Sequence, residues 1–181
     1  MFKIQGLLSG VQGINLKIQW LFLMILLLLI TGCGYQLVSD KGIYGGEIKS
    51  VYMPVFKNIT YEPHASVYFT DAFTRQLMAT GILAVNKSNA ETYIEGVLKN
   101  IRTVPNAMDK NGIVIEKNLL VGVEVSLFRK DGHLIKKWSF SDNQIYRADD
   151  KSIEDYNKKE AISILSERIA KRFCASIMTE Y

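Results

Sequence analysis

Apolar and polar positions alternate most regularly between residues 119 and 129, where Val121, Val123, Val125 and Leu127 face one way and Gly122, Glu124, Ser126 and Phe128 the other. A period of two marks a strand with one buried face. Asp131-Gly132 follows as a hairpin turn, and residues 134–146 return as the partner strand, with Trp138 and Phe140 on its inner face. Residues 92–104 alternate well enough for another long strand, which Pro105 is expected to close before a polar loop at 106–112. Upstream, 48–56 reads as a strand that must end, bulge or lie at an edge at Pro54, because proline has no amide to offer the ladder. Tyr35-Gln36-Leu37-Val38 reads as a short strand before a Gly-containing connector at 40–46, and Leu83-Ala84-Val85 is a short apolar segment.

Two stretches carry the helical period instead. Ala65, Tyr68, Phe69, Ala72, Phe73 and Leu77 recur at steps of three and four within 63–80, so one face of a helix turns inward. Pro63 suits the first helical position, where its missing N–H costs nothing, and Gly81 supplies a left-handed stop. Ile162, Leu165, Ile169, Phe173 and Ile177 form the same stripe in a long last helix, with Lys158, Lys159, Arg168, Lys171 and Arg172 over the remaining surface. Ser152-Ile153-Glu154-Asp155 at its start comes close to a capping box. The order strand, helix, three strands, helix predicts an α+β fold: a two-layer sandwich of about four strands in a mixed sheet, with two helices packed on one face.

Residues 1–32 fit none of this. They contain no acidic residue; Lys3 and Lys17 lead into an apolar run at 20–30, too short for a membrane-spanning helix, which needs roughly 20 apolar residues. Small residues then precede a cysteine in Ile30-Thr31-Gly32-Cys33, as a lipoprotein signal peptide requires, so 1–32 is expected to be removed and Cys33 lipidated. The other reading is an ordinary signal peptide with a cysteine near its cleavage point. The lead-in before Trp20 is long, which also suits a later start codon with Lys17 opening the basic region. Several acyl chains, each contributing about 0.8 kcal/mol per buried methylene, would make anchoring effectively permanent. By resemblance to other bacterial lipoproteins, Gly34 in place of Asp implies sorting to the outer membrane, lipid-anchored on its periplasmic side.

The remainder, 33–181, is sized for a single periplasmic domain. With Lys3 and Lys17 gone, 20 of the 22 basic residues face 18 acidic ones, so bulk charge gives no mandate to bind nucleic acid. Cys174 is the one thiol left beside Cys33; no internal disulfide can form, and a small packing role suits it better than reactivity. Nucleophile elbows, zinc-protease helices, phosphate-cradling glycine loops and C-x-x-C pairs are missing from the sequence. His64 at a helix start and His133 beside a turn read as solvated or capping residues, and Asp149-Asp150 as acids placed before a helix N-terminus. No enzyme activity, metal or cofactor is expected.

Arg129-Lys130 precede the Asp131-Gly132 turn and Lys136-Lys137 follow it, so the hairpin tip collects four cations. They could hold phosphates or carboxylates on a ligand through charge-assisted hydrogen bonds. Lysine-rich strand ends that discourage edge pairing look the same in sequence.

Cys33-Gly34-Tyr35-Gln36-Leu37, the run Val51-Tyr52-Met53-Pro54-Val55-Phe56-Lys57-Asn58-Ile59-Thr60-Tyr61-Glu62-Pro63, and Ala90-Glu91-Thr92-Tyr93-Ile94-Glu95-Gly96 together resemble the lipopolysaccharide-assembly lipoprotein family, LptE. The resemblance implies an α+β outer-membrane lipoprotein that plugs a large β-barrel translocon, helps it assemble, and assists lipopolysaccharide insertion into the outer leaflet. Its partners would be that barrel and lipopolysaccharide. Two departures stand out: many members carry Gly after the Glu-Pro pair where this chain has His64, and Ala-Asp where it has Ala90-Glu91.

The alternative is an outer-membrane lipoprotein that activates a peptidoglycan synthase. Such a protein needs a long flexible linker between lipid and domain, whereas here ordered sequence begins at Tyr35. A small periplasmic hydrolase would need a nucleophile or metal that the sequence does not offer.

Overall fold

The computed structural model describes Trp20, residues 48–84 and residues 86–179. Expectations for the leader, Cys33, Gly34, the strand at 35–38, the connector at 40–46 and Val85 lie outside the described residues. The chain divides into two units, Met1–Ser39 and Asp40–Tyr181, and every strand of the sheet belongs to the second, as do the two helices that cover it.

In chain order the elements are strands β1 (Val51–Tyr52) and β2 (Lys57–Asn58), helix α1 (Ala65–Ala79), strands β3 (Thr92–Met108), β4 (Val114–Arg129) and β5 (Leu134–Arg147), and helix α2 (Glu154–Thr179). The long strands form an antiparallel meander, while β1 and β2 run parallel to β3, giving one open mixed sheet of five strands. Pro54 lies in the break between the two short strands, where its missing amide interrupts no ladder.

The period-two pattern of β4 decides where the core sits. Leu119, Val121, Val123, Val125 and Leu127 are all buried, beside Ile94 and Leu98 of β3 and Trp138 and Phe140 of β5. Both helices cover this face: α1 contributes Phe69, Phe73 and Leu77, and α2 the whole stripe Ile162, Leu165, Ile169, Phe173 and Ile177. Phe173 ties the layers together, with ring centroids 5.3 Å from Phe73, 5.3 Å from Trp138 and 6.3 Å from Phe140. Full burial of one such aromatic contributes about 1.5–3 kcal/mol, so this ring cluster is a large part of what joins helices to sheet.

Four local expectations need correction. Pro105 does not close β3; the strand runs on to Met108, and the polar loop shrinks to a tight turn in which Asp109 Oδ1 accepts the amides of Asn111 and Ile113. Pro63 is not the first helical residue, because α1 starts at Ala65 behind a left-handed His64 with φ 60°. The capping box at 152–155 does not form: the Ser152 hydroxyl donates to Asp150 Oδ1 at 2.7 Å, and Asp155 pairs with Lys159. The predicted strand at 48–56 is split, with only Val51–Tyr52 paired as β1.

The sheet's two edges explain the first of these. On β5 the outward carbonyls belong to odd-numbered residues, since Asn143 O accepts Arg168, Ile145 O accepts Gln144 and Arg147 O accepts Asn157. Alternation across the antiparallel ladder then turns the odd residues of β4 toward β5 and its even residues toward β3. A bulge at Lys99 shifts the phase, leaving Ile101, Thr103 and Pro105 with their backbone groups directed away from β4. Pro105 therefore lacks an N–H that would have faced outward, and the ladder tolerates it.

Candidate functional site

The stretch from Pro54 to Pro63 folds into a loop held by its own side chains. Phe56 is 2% exposed and inserts beneath α1, its ring 4.7 Å from Phe73, while its amide donates to Thr70 Oγ1 at 3.0 Å. Asn58 Oδ1 accepts both the amide and the hydroxyl of Thr60, at 2.9 and 2.7 Å, and Asn58 Nδ2 donates to the Glu62 carbonyl at 2.8 Å. The Glu62 carboxylate, largely buried, takes the ammonium of Lys158 from α2. Polar side chains that bond locally to backbone in this way replace the ladder that an extended segment would otherwise need.

What the loop presents is apolar. Val55, Ile59 and Tyr61 alternate with the anchoring residues and are 68%, 51% and 106% exposed. Singly exposed apolar side chains are ordinary, but three on one braced loop form a surface suited to another protein. Sequence reasoning found this motif and missed its exposed members; the alternation of anchors with Val55, Ile59 and Tyr61 was the available signal.

The hairpin cations are distributed differently. Arg129 and Lys130 line a cleft of about 650 Å³ with Ile48, Glu91, Thr92 and Ile135, and Lys130 Nζ donates to the Ser88 carbonyl at 3.0 Å. Lys136 and Lys137, neighbours on one strand, point to opposite faces of the sheet. Lys136 lies 5.6 Å over the Trp138 ring, whereas Lys137 joins Lys99 on Glu124 at 3.0 and 3.2 Å. The hydrogen bond from Lys137, then that from Lys99, holds the Glu124 carboxyl below the usual range.

Asp149, Asp150 and Cys174 serve local structure. Asp149 pairs with Arg147 and Asp150 accepts from Ser152, and each contact holds its carboxyl below the usual range. Burial pushes the Cys174 thiol up to about 11. Among the described residues no group of three His, Cys, Asp or Glu side chains is placed to hold a metal ion. No described helix is long and apolar enough to cross a membrane.

Fold and site together define an α+β protein with one open sheet, helices on a single face, and a motif-bearing loop at the edge. The chain belongs to the LptE lipopolysaccharide-assembly family, whose sequence model matches residues 48–179 and so spans every element from β1 to α2. The match falls on the lipopolysaccharide-assembly reading and not on a peptidoglycan-synthase activator.

No curated protein sequence matches the chain. Among solved structures, it is similar to a proposed lipoprotein from Caulobacter crescentus CB15 at 12% identity and TM-score 0.50, covering 68% of this chain and 88% of that one. Rare lipoprotein B from Shewanella oneidensis gives 12% identity and TM-score 0.49 over 69% of this chain and 92% of that one. A minor lipoprotein from Acinetobacter baumannii gives 14% and 0.47 over 71% and 92%. Of the three, the Caulobacter structure bears on fold, and on fold alone.

Proposed function

We infer that this protein is an outer-membrane lipoprotein of lipopolysaccharide assembly: residues 1–32 are a signal peptide, Cys33 carries the acyl chains, and 33–181 is one periplasmic domain. The domain plugs and helps assemble a large β-barrel translocon and assists lipopolysaccharide insertion into the outer leaflet. It acts by binding, not by catalysis. The observation that carries the reading is the braced loop 54–63, whose family motif is used to present Val55, Ile59 and Tyr61 to solvent. A wide barrel lumen is the kind of partner that needs such a filler.

Purification of the lipidated protein from detergent-solubilised outer membrane is expected to bring one very large β-barrel at equal stoichiometry; its absence overturns the reading. Radiolabelled palmitate is expected to enter the wild type and not Cys33→Ser. Neutralising Arg129, Lys130, Lys136 and Lys137 is expected to weaken lipopolysaccharide binding while sparing barrel association. Unchanged binding would return those cations to strand-end solvation.

A further inference from the structure

The two edges of the sheet are treated in opposite ways. Along β5, side chains cap the outward carbonyls of Asn143, Ile145 and Arg147, and the Asn143 amide is itself taken by Asp142 Oδ1. From Asn143 to Arg147 that edge is closed to another strand. Along β3 the short parallel strands reach only as far as Leu98, whose carbonyl accepts the Ile59 amide at 3.2 Å. Beyond it the outward backbone groups of Ile101 and Thr103 have no partner among the described residues, and Thr103 is exposed.

We propose that this open edge of β3, from Asn100 to Pro105, docks an extended strand supplied by the protein partner, with acidic side chains on the sheet's outer face. Strand addition uses the backbone for affinity and alternate side chains for specificity. The incoming strand lies where β2 would have continued, so it meets Ile59 at the point where the loop leaves the sheet. Its charge follows from Lys57 and Arg102: register places both on the face opposite the helices, both are exposed, and neither has an ion-pair partner among the described residues. Lys99 and Lys137 on that face already share Glu124. The Lys99 bulge at one end and Pro105 at the other limit the window, so the strand pairs with Ile101 and Thr103 and stops.

The proposal rests on the partner being the co-purifying barrel, and the test separates the two. Full-length lipidated protein is prepared as wild type, Thr103→Pro and Thr103→Val, and also with a photocrosslinking amino acid at position 103. Proline there removes only an outward N–H, so thermal stability is expected to stay close to wild type while recovered barrel falls at least about tenfold. Valine keeps the amide and is expected to leave recovery unchanged. Crosslinks from position 103 are expected on one extended, acid-bearing segment of the barrel protein. Wild type and Thr103→Pro recovering the barrel equally overturns the docked strand and leaves the functional reading intact. Crosslinks confined to this chain's own sequence overturn it too, in favour of self-association. A wild type that recovers no barrel overturns both. Should Thr103→Pro fail to fold, the Lys57→Glu/Arg102→Glu pair decides: undiminished recovery overturns the proposal.

Discussion

Phe56 lies against Gly96 so closely that a Cβ at position 96 would sit 2.2 Å from the phenylalanine ring. The loop motif and the Glu95-Gly96 segment are therefore two halves of one contact, an aromatic ring and the space left for it. Gly96→Ala is expected to destabilise by about 1–3 kcal/mol, the usual size of overpacking. Chemical denaturation checks it, and wild-type stability would mean the ring has room to move.

His64 sits at φ 60°, where a side chain is strained and glycine is not. Family members with Gly after the Glu-Pro pair have the residue this backbone favours. His64→Gly is expected to raise stability by roughly 0.5–1 kcal/mol, and His64→Ala to give no such gain. Thermal melts of the two variants distinguish them.

Asn58 makes three hydrogen bonds inside the loop. Asn58→Ala removes them together, at about 1 kcal/mol each where the groups find no replacement. The expected outcome is faster proteolysis around Tyr61 with most of the core stability retained, because Phe56 and Phe73 remain packed. Unchanged cleavage would show that Glu62 and Lys158 hold the loop without Asn58.

Cys174 is buried with its thiol pushed up to about 11. Alkylation of the native protein near neutral pH is expected to be slow and to become fast in denaturant. Because the folded value is raised above the unfolded one, the unfolded chain loses its proton first. This group's contribution to stability is thus complete below about pH 9 and is lost as pH rises toward 11. Cys174→Ala is expected to flatten that part of the pH profile.

Much of the fold could be read along the chain. The alternation at 119–129, the turn at Asp131-Gly132 and the helical stripe from Ile162 to Ile177 each report burial on one face, and a residue's own period carries that information. Less of the candidate site was legible. The cations around the hairpin are adjacent in sequence, yet strand parity sends Lys136 toward Trp138 and Lys137 toward Glu124.

By itself the sequence determined the three long strands and the two helices, their order and the face each one buries, because these depend on spacings of two, three and four residues. Only the tertiary structure decided that Pro105 could remain inside a strand, that His64 would take a left-handed turn, and that the sheet edge at 143–147 would be capped while the edge at 101–103 stayed open. Each of these depends on which group lies across the ladder or beneath the loop, and neighbours brought together from distant positions leave no period in the chain.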